Sequence, residues 1–177
     1  MDPAQLQRVL ADDYVGDVTA LDMSDLRSKR AECQALEVVL SYQRRLAQGR
    51  LDIVAAERHR RAVGGEPTSH DDLVSTLAAT LADRGRPAGV GRLPQLMAPD
   101  AEDVDTTELD AIVGAGSLGS LPDVSDEHLS EMIEALSAYE VDVSSRRRAL
   151  HERIDALQAE ITRRYRTGEA SVESLLH

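Results

Sequence analysis

From Asp25 to Val63 apolar residues recur every three or four positions, through Leu36, Leu40, Ala47, Leu51 and Val54. That spacing keeps one face of an α-helix apolar. Ser24, with Asp25 behind it, reads as the N-cap, and Gly64, Gly65 and Pro67 end the run. The predicted helix over 24–63 is roughly 60 Å long. A second run starts at Ser125, followed by Asp126 and Glu127, and carries Tyr139, Val143, Leu150, Ile154 and Leu157 before Gly168. It predicts a helix over 124–166. Between the two, Ser69-His70-Asp71-Asp72 has the form of a capping box, and Leu73, Leu77 and Leu81 predict a short helix over 70–84. Gly85, Pro87, Gly89 and Gly91 then open a loop-rich linker over 86–122, with a helical turn or two near Thr107–Val113. Residues 1–20 read as a flexible N-terminus in which Leu6, Val9 and Leu10 can form a short amphipathic turn or two before Gly16. The expected fold is all-α: an antiparallel coiled-coil hairpin of two long helices, with a short accessory helix and an acidic linker, forming a single domain over 1–177.

The two long runs are copies of one another. At an offset of 103 residues, 35–61 aligns with 138–164, and the identical pairs include Glu37/Glu140, Ser41/Ser144, Arg44/Arg147, Arg45/Arg148, Arg50/Arg153, Asp52/Asp155, Glu57/Glu160, Arg60/Arg163 and Arg61/Arg164. Internal repetition of this kind constrains every later reading. On a helix advancing about 100° per residue, Glu37, Ser41, Arg44, Gln48 and Asp52 fall within an arc of about 80° and stretch over about 22 Å. Glu140, Ser144, Arg147, His151 and Asp155 take the same angles in the second copy. The apolar positions lie beside this arc, not opposite it. Each helix therefore has an apolar seam with a polar strip along one edge. Packing the seams antiparallel brings the strips to the same side of the hairpin, about an approximate two-fold axis.

Such a strip suits a guanine nucleotide. Arginine offers a planar fork that matches the O6/N7 edge of guanine or a phosphate. A carboxylate accepts from N1–H and the exocyclic amine of the same base. Ser and Gln or His can donate to phosphate oxygens, and Arg45 and Arg148 supply countercharge. A repeated site calls for a ligand with two equivalent halves. The plainer account is an exposed helix face laced with ion pairs worth tenths of a kcal/mol each. Against it, Ser, Gln and Asp are middling helix formers, yet they hold fixed places.

Composition narrows the classes. Four Tyr, no Phe and no Trp leave Leu, Val, Ile and Ala to fill the core, which suits packed helices. No stretch is long and apolar enough for a membrane span, and no signal segment opens the chain, so a soluble, cytoplasmic protein is expected. Cys33 is the single cysteine, so no disulfide framework and no thiolate metal cluster is expected. The net charge of −12 is concentrated: from Leu93 to Ser145 there is no Lys or Arg. Unopposed negative charge there disfavours DNA and membrane surfaces; on its own it reads first as a solvated, partly disordered linker, and otherwise as a stretch that could attract a basic protein surface.

The spacing E-x3-S-x2-R-x3-Q-x3-D, complete in Glu37, Ser41, Arg44, Gln48 and Asp52, resembles the motif of the RsiG family of actinobacterial anti-sigma factors. The second copy matches at Glu140, Ser144, Arg147 and Asp155, with His151 standing where the pattern has Gln. The resemblance implies a coiled-coil hairpin that binds two molecules of cyclic di-GMP as an intercalated dimer along these ten residues. So loaded, it would hold a WhiG-like (FliA-type) sigma factor away from RNA polymerase and repress sporulation genes. It also implies that the Arg and Asp of each motif read guanine, while Glu, Ser and Gln/His orient them or touch ribose-phosphate.

Other signals are weaker. Gly114-Ala115-Gly116-Ser117-Leu118-Gly119 spells a dinucleotide fingerprint, but Pro122 follows at once and no βαβ unit surrounds it. The five histidines show no paired metal spacing. No nucleophile elbow, P-loop or Cys/His pair is present, so no enzyme is expected. The alternative function is a nucleotide-independent coiled-coil adaptor or scaffold. A hydrolase of cyclic dinucleotides comes third, lacking a metal-ligand cluster.

Overall fold

A computed structural model describes residues 2–65 and 104–170. The short helix expected over 70–84, and the linker up to residue 103, lie outside them. Among the described residues there are four α-helices: α1 (Pro3–Leu10), α2 (Met23–Ala62), α3 (Thr107–Ile112) and α4 (Asp126–Thr167). A 3-10 segment, Ala115–Asp123, joins α3 to α4. There is no strand among the described residues. The fold is all-α, as expected.

The chain divides into two compact units. In the first, residues 2–41 meet residues 144–170. Arg27 bonds Tyr165, Arg30 bonds Gln158 and Arg147 bonds Glu37, so partner numbers fall as α2 advances. The helices are antiparallel. Leu26, Leu36, Leu40, Leu150, Leu157 and Ile161 form the buried seam, and Leu6, Val9 and Tyr14 join it from α1 and the turn after it. In the second, residues 42–65 meet residues 105–143. Arg44 bonds Glu140 and Arg61 bonds Asp126, again antiparallel. Ala47, Val54, Leu129, Leu136, Tyr139 and Val143 are buried there, with Leu109, Val113 and Leu121.

Residues 3–10 are a helix of about two turns, where Leu6, Val9 and Leu10 allow one. The Asp2 carboxylate accepts from the Ala4 N–H at 2.9 Å, and Pro3 sits at the first helical position, where its missing N–H costs nothing. Burial of Leu6 and Val9 then holds α1 in place. The cap of α2 is Asp22, not Ser24. Its carboxylate accepts from the Asp25 N–H at 2.8 Å, and the Ser24 hydroxyl donates to it at 2.8 Å. The cap of α4 is Ser125, as expected, accepting from the His128 N–H at 3.2 Å.

The repeat is also longer than the motif helices. Asp22 and Ser125, the two caps, stand 103 residues apart, as do Leu6 and Leu109, Leu26 and Leu129, and Val18 and Leu121. Equivalent arginines bind equivalent carbonyls. Arg50 donates to Val113 O at 2.7 Å, and Arg153 donates to Leu10 O at 2.5 Å. Arg61 donates to Leu121 O at 2.7 Å and Pro122 O at 3.0 Å. Arg164 donates to Val18 O at 3.2 Å and Thr19 O at 3.0 Å. These contacts place residues 3–62 and 106–165 in register as one duplicated unit of structure. Within the segment expected as a loop-rich linker, a helix stands at Thr107–Ile112, where a turn or two is expected, and most of 104–122 is the second copy of the N-terminal segment.

Candidate functional site

The apolar seam fixes where the polar strip goes. Leu36, Leu40, Ala47 and Val54 are buried on α2, and Tyr139, Val143, Leu150 and Leu157 on α4. The strip beside each seam lies at the margin of the packed surface, and its members are half-buried or exposed.

In the first unit the strips meet at Glu37. Its Oε1 accepts from the Ser41 hydroxyl at 2.6 Å and from Arg147 Nε at 2.8 Å. His151 Nε2 lies 3.2 Å from the same oxygen. Arg147 Nε also donates to Ser41 Oγ at 2.7 Å. Burial is the largest influence on the Glu37 carboxyl and pushes its pKa up. The bonds from Ser41 and Arg147, with the charges of His151 and Arg147, outweigh it, so the net shift is downward. Glu37 is held as a carboxylate.

In the second unit the strips meet at Glu140. Its Oε1 accepts from Arg44 Nε at 2.7 Å and from Gln48 Nε2 at 3.1 Å. The same rule operates in both: the motif Glu of one helix is gripped by the Arg and the Gln or His of the other. Asp52 is half-buried in the second unit, Ser144 is half-buried in the first, and Asp155 in the first is exposed.

The chemical content lies in how the arginines are held. Arg44 and Arg147 are bonded only through Nε, among the described residues. Nη1 and Nη2 of each make no hydrogen bond there, so a two-donor edge stays available at a fixed orientation. A guanidinium pinned from behind by a carboxylate loses little freedom when it takes a planar acceptor pair. A donor set of guanidinium, carboxylate, hydroxyl and amide or imidazole therefore fits a guanine base or a phosphodiester. Arg45 and Arg148, expected to add countercharge, are both exposed; Arg45 stands over the Tyr42 ring at 5.8 Å and Arg148 lies 3.5 Å from Glu152. Among the described residues no group of three or more His, Cys, Asp or Glu could hold a metal ion.

Sequence reasoning assigned no role to the other repeated arginines. Glu57 accepts from Arg60 at 2.5 Å and Arg61 at 2.7 Å, and Glu160 from Arg163 at 2.8 Å and Arg164 at 2.6 Å. Hydrogen bonds from Arg163 and then Arg164 pull the Glu160 carboxyl down to about 2. With Arg50 and Arg153 these groups fasten the connecting segments to the long helices. Their signal was present as repeat identities lying off the polar arc.

No described helix is long and apolar enough to cross a membrane. Among curated proteins, none matches the chain. The model of one protein family, described as RsiG-like, matches residues 12–81 and 116–177.

Proposed function

The chain belongs to the RsiG-like family, and from that premise we propose that it is a cytoplasmic anti-sigma factor gated by cyclic di-GMP. Family membership itself points to an anti-sigma factor with a sigma factor as partner. The finer reading is that Glu37, Ser41, Arg44, Gln48 and Asp52, with Glu140, Ser144, Arg147, His151 and Asp155, take two molecules of the nucleotide. The loaded protein then sequesters a WhiG-like sigma factor from RNA polymerase. Catalysis has no part in this role.

One observation carries the reading: Arg44 and Arg147 are each pinned by the opposite helix through Nε, with the Nη edge making no hydrogen bond among the described residues. Pinning sets the direction of the fork before ligand arrives, which lowers the ordering cost of binding. The Asp of each motif, one helical turn beyond the Gln or His, supplies the acceptor that distinguishes guanine from adenine. The ligand phosphates bring negative charge that could bridge to a basic sigma surface.

The test is titration of cyclic di-GMP into the chain, alone and with the sigma factor. Arg44→Ala and Arg147→Ala should each weaken binding by about five- to a hundredfold, the value of one bidentate base contact. Helicity by circular dichroism should be kept, since neither residue is in the seam. Unchanged affinity in both variants rejects the site.

A second reading keeps one support. The Arg44–Glu140 and Arg147–Glu37 pairs tie the facing helices together directly, as they would in a nucleotide-independent scaffold. Capture of sigma without nucleotide, lost in the same variants, would favour it.

A further inference from the structure

The two polar clusters carry the same motif residue types except at one position. Gln48 and His151 are 103 residues apart and occupy the same place in the repeat. Gln48 donates its amide to Glu140 at 3.1 Å, and His151 reaches Glu37 at 3.2 Å. An amide stays neutral at every pH of interest. An imidazole changes charge between about pH 5 and 8. We infer that His151 makes the cluster at Glu37 the proton-sensitive one of the two, so that the anionic dinucleotide is gripped more tightly as pH falls. This rests on the proposed nucleotide-binding role.

Local charge gives the argument. In the second unit Glu140 and Arg44 cancel, and Gln48 adds nothing. In the first unit Glu37 and Arg147 cancel while His151 is neutral, and a protonated His151 leaves one net positive charge. The group facing His151 from α2 is Glu37, already held by Ser41 and Arg147. The charged groups within a turn of it on α4 are Arg147, Arg148, Glu152, Arg153 and Asp155; Arg148 lies 3.5 Å from Glu152 and Arg153 is turned to the Leu10 carbonyl. A protonated His151 thus shares Glu37 with Arg147. It takes over part of the neutralisation of that carboxylate and frees more of the guanidinium's field for a phosphate. The His151 side chain is 46% exposed, so protons reach it directly and the added charge is partly screened.

The experiment measures cyclic di-GMP affinity by calorimetry at about pH 8 and about pH 5.5. It uses the full chain, with and without the sigma factor, and three forms: unaltered, His151→Gln and Gln48→His. The unaltered chain should bind roughly three- to tenfold more tightly at the lower pH, an effect of one screened charge. His151→Gln should flatten that slope whatever its absolute affinity, and Gln48→His should steepen it. A flat profile in the unaltered chain, or an undiminished slope in His151→Gln, overturns the inference while leaving nucleotide binding intact. Absence of nucleotide binding by the unaltered chain at both pH values and in both mixtures overturns the proposed function and this inference together.

Discussion

Replacing Arg50 by Met keeps most of the aliphatic stem and removes the guanidinium. Arg50 is 8% exposed, and it donates to the carbonyl of Val113, itself a 2% exposed residue, at 2.7 Å. A hydrogen bond from a charged donor contributes about 1.5–3 kcal/mol, and stranding a buried carbonyl costs a similar amount. The second contact, 2.6 Å to Asp110, reaches a carboxylate whose side chain is 44% exposed, so its share is small in salt. The expected loss is about 2–3 kcal/mol. With a urea dependence of about 1–3 kcal/mol per molar, the unfolding midpoint should fall by about 1–2 M. Arg153→Met, which removes the bond to Leu10 O at 2.5 Å, should cost a comparable amount. Urea denaturation followed by circular dichroism reads both. A midpoint shift under about 0.3 M in both variants would refute the claim that these repeated arginines fasten the short segments to the long helices.

Truncating the seam gives a second scale: Leu136→Ala, at a fully buried position, should lose about 2–5 kcal/mol in the same assay. Ser125→Ala removes the cap of α4 and should cost about 1 kcal/mol, with added fraying of the first turn by hydrogen exchange. Glu160 sets an acid limit. Its folded pKa, about 2, lies below the ordinary 4.5, so its contribution is complete above about pH 4.5 and is lost as pH falls toward about pH 2. Glu160→Gln should therefore lower the thermal midpoint at neutral pH and shrink the loss across that acid window. An unchanged acid profile would contradict the assignment.

The long helices were legible because burial on one face writes a period of three to four residues into the sequence. Leu36, Leu40, Leu150 and Leu157 stand where that period put them. The meeting of the polar strips was legible for a related reason. A strip at fixed angle to the seam, repeated at a constant offset, must face its copy when the seams pack antiparallel. Within the strips, the pairing of each Glu with the opposite Arg follows from charge, but the choice of Nε over the Nη edge does not. The kinship of the N-terminal segment and its copy was missed because α1 and α3 share apolar positions and few identities. The arginines that fix them bind main-chain carbonyls, and a carbonyl leaves no trace in residue type. The cap at Asp22 was missed by two residues because Asp22, Ser24 and Asp25 are all competent acceptors. The glycines at 114, 116 and 119, set aside as a dinucleotide fingerprint, flank and lie in a 3-10 segment, not a phosphate loop.

The most direct test of the account is sigma capture as a function of nucleotide. A labelled WhiG-like sigma factor is titrated with the chain, without cyclic di-GMP and at saturating cyclic di-GMP, and binding is read by fluorescence anisotropy. The account predicts that nucleotide tightens capture by at least about tenfold, and that Arg44→Ala and Arg147→Ala lose this gain. Equal affinity for sigma with and without nucleotide would contradict it.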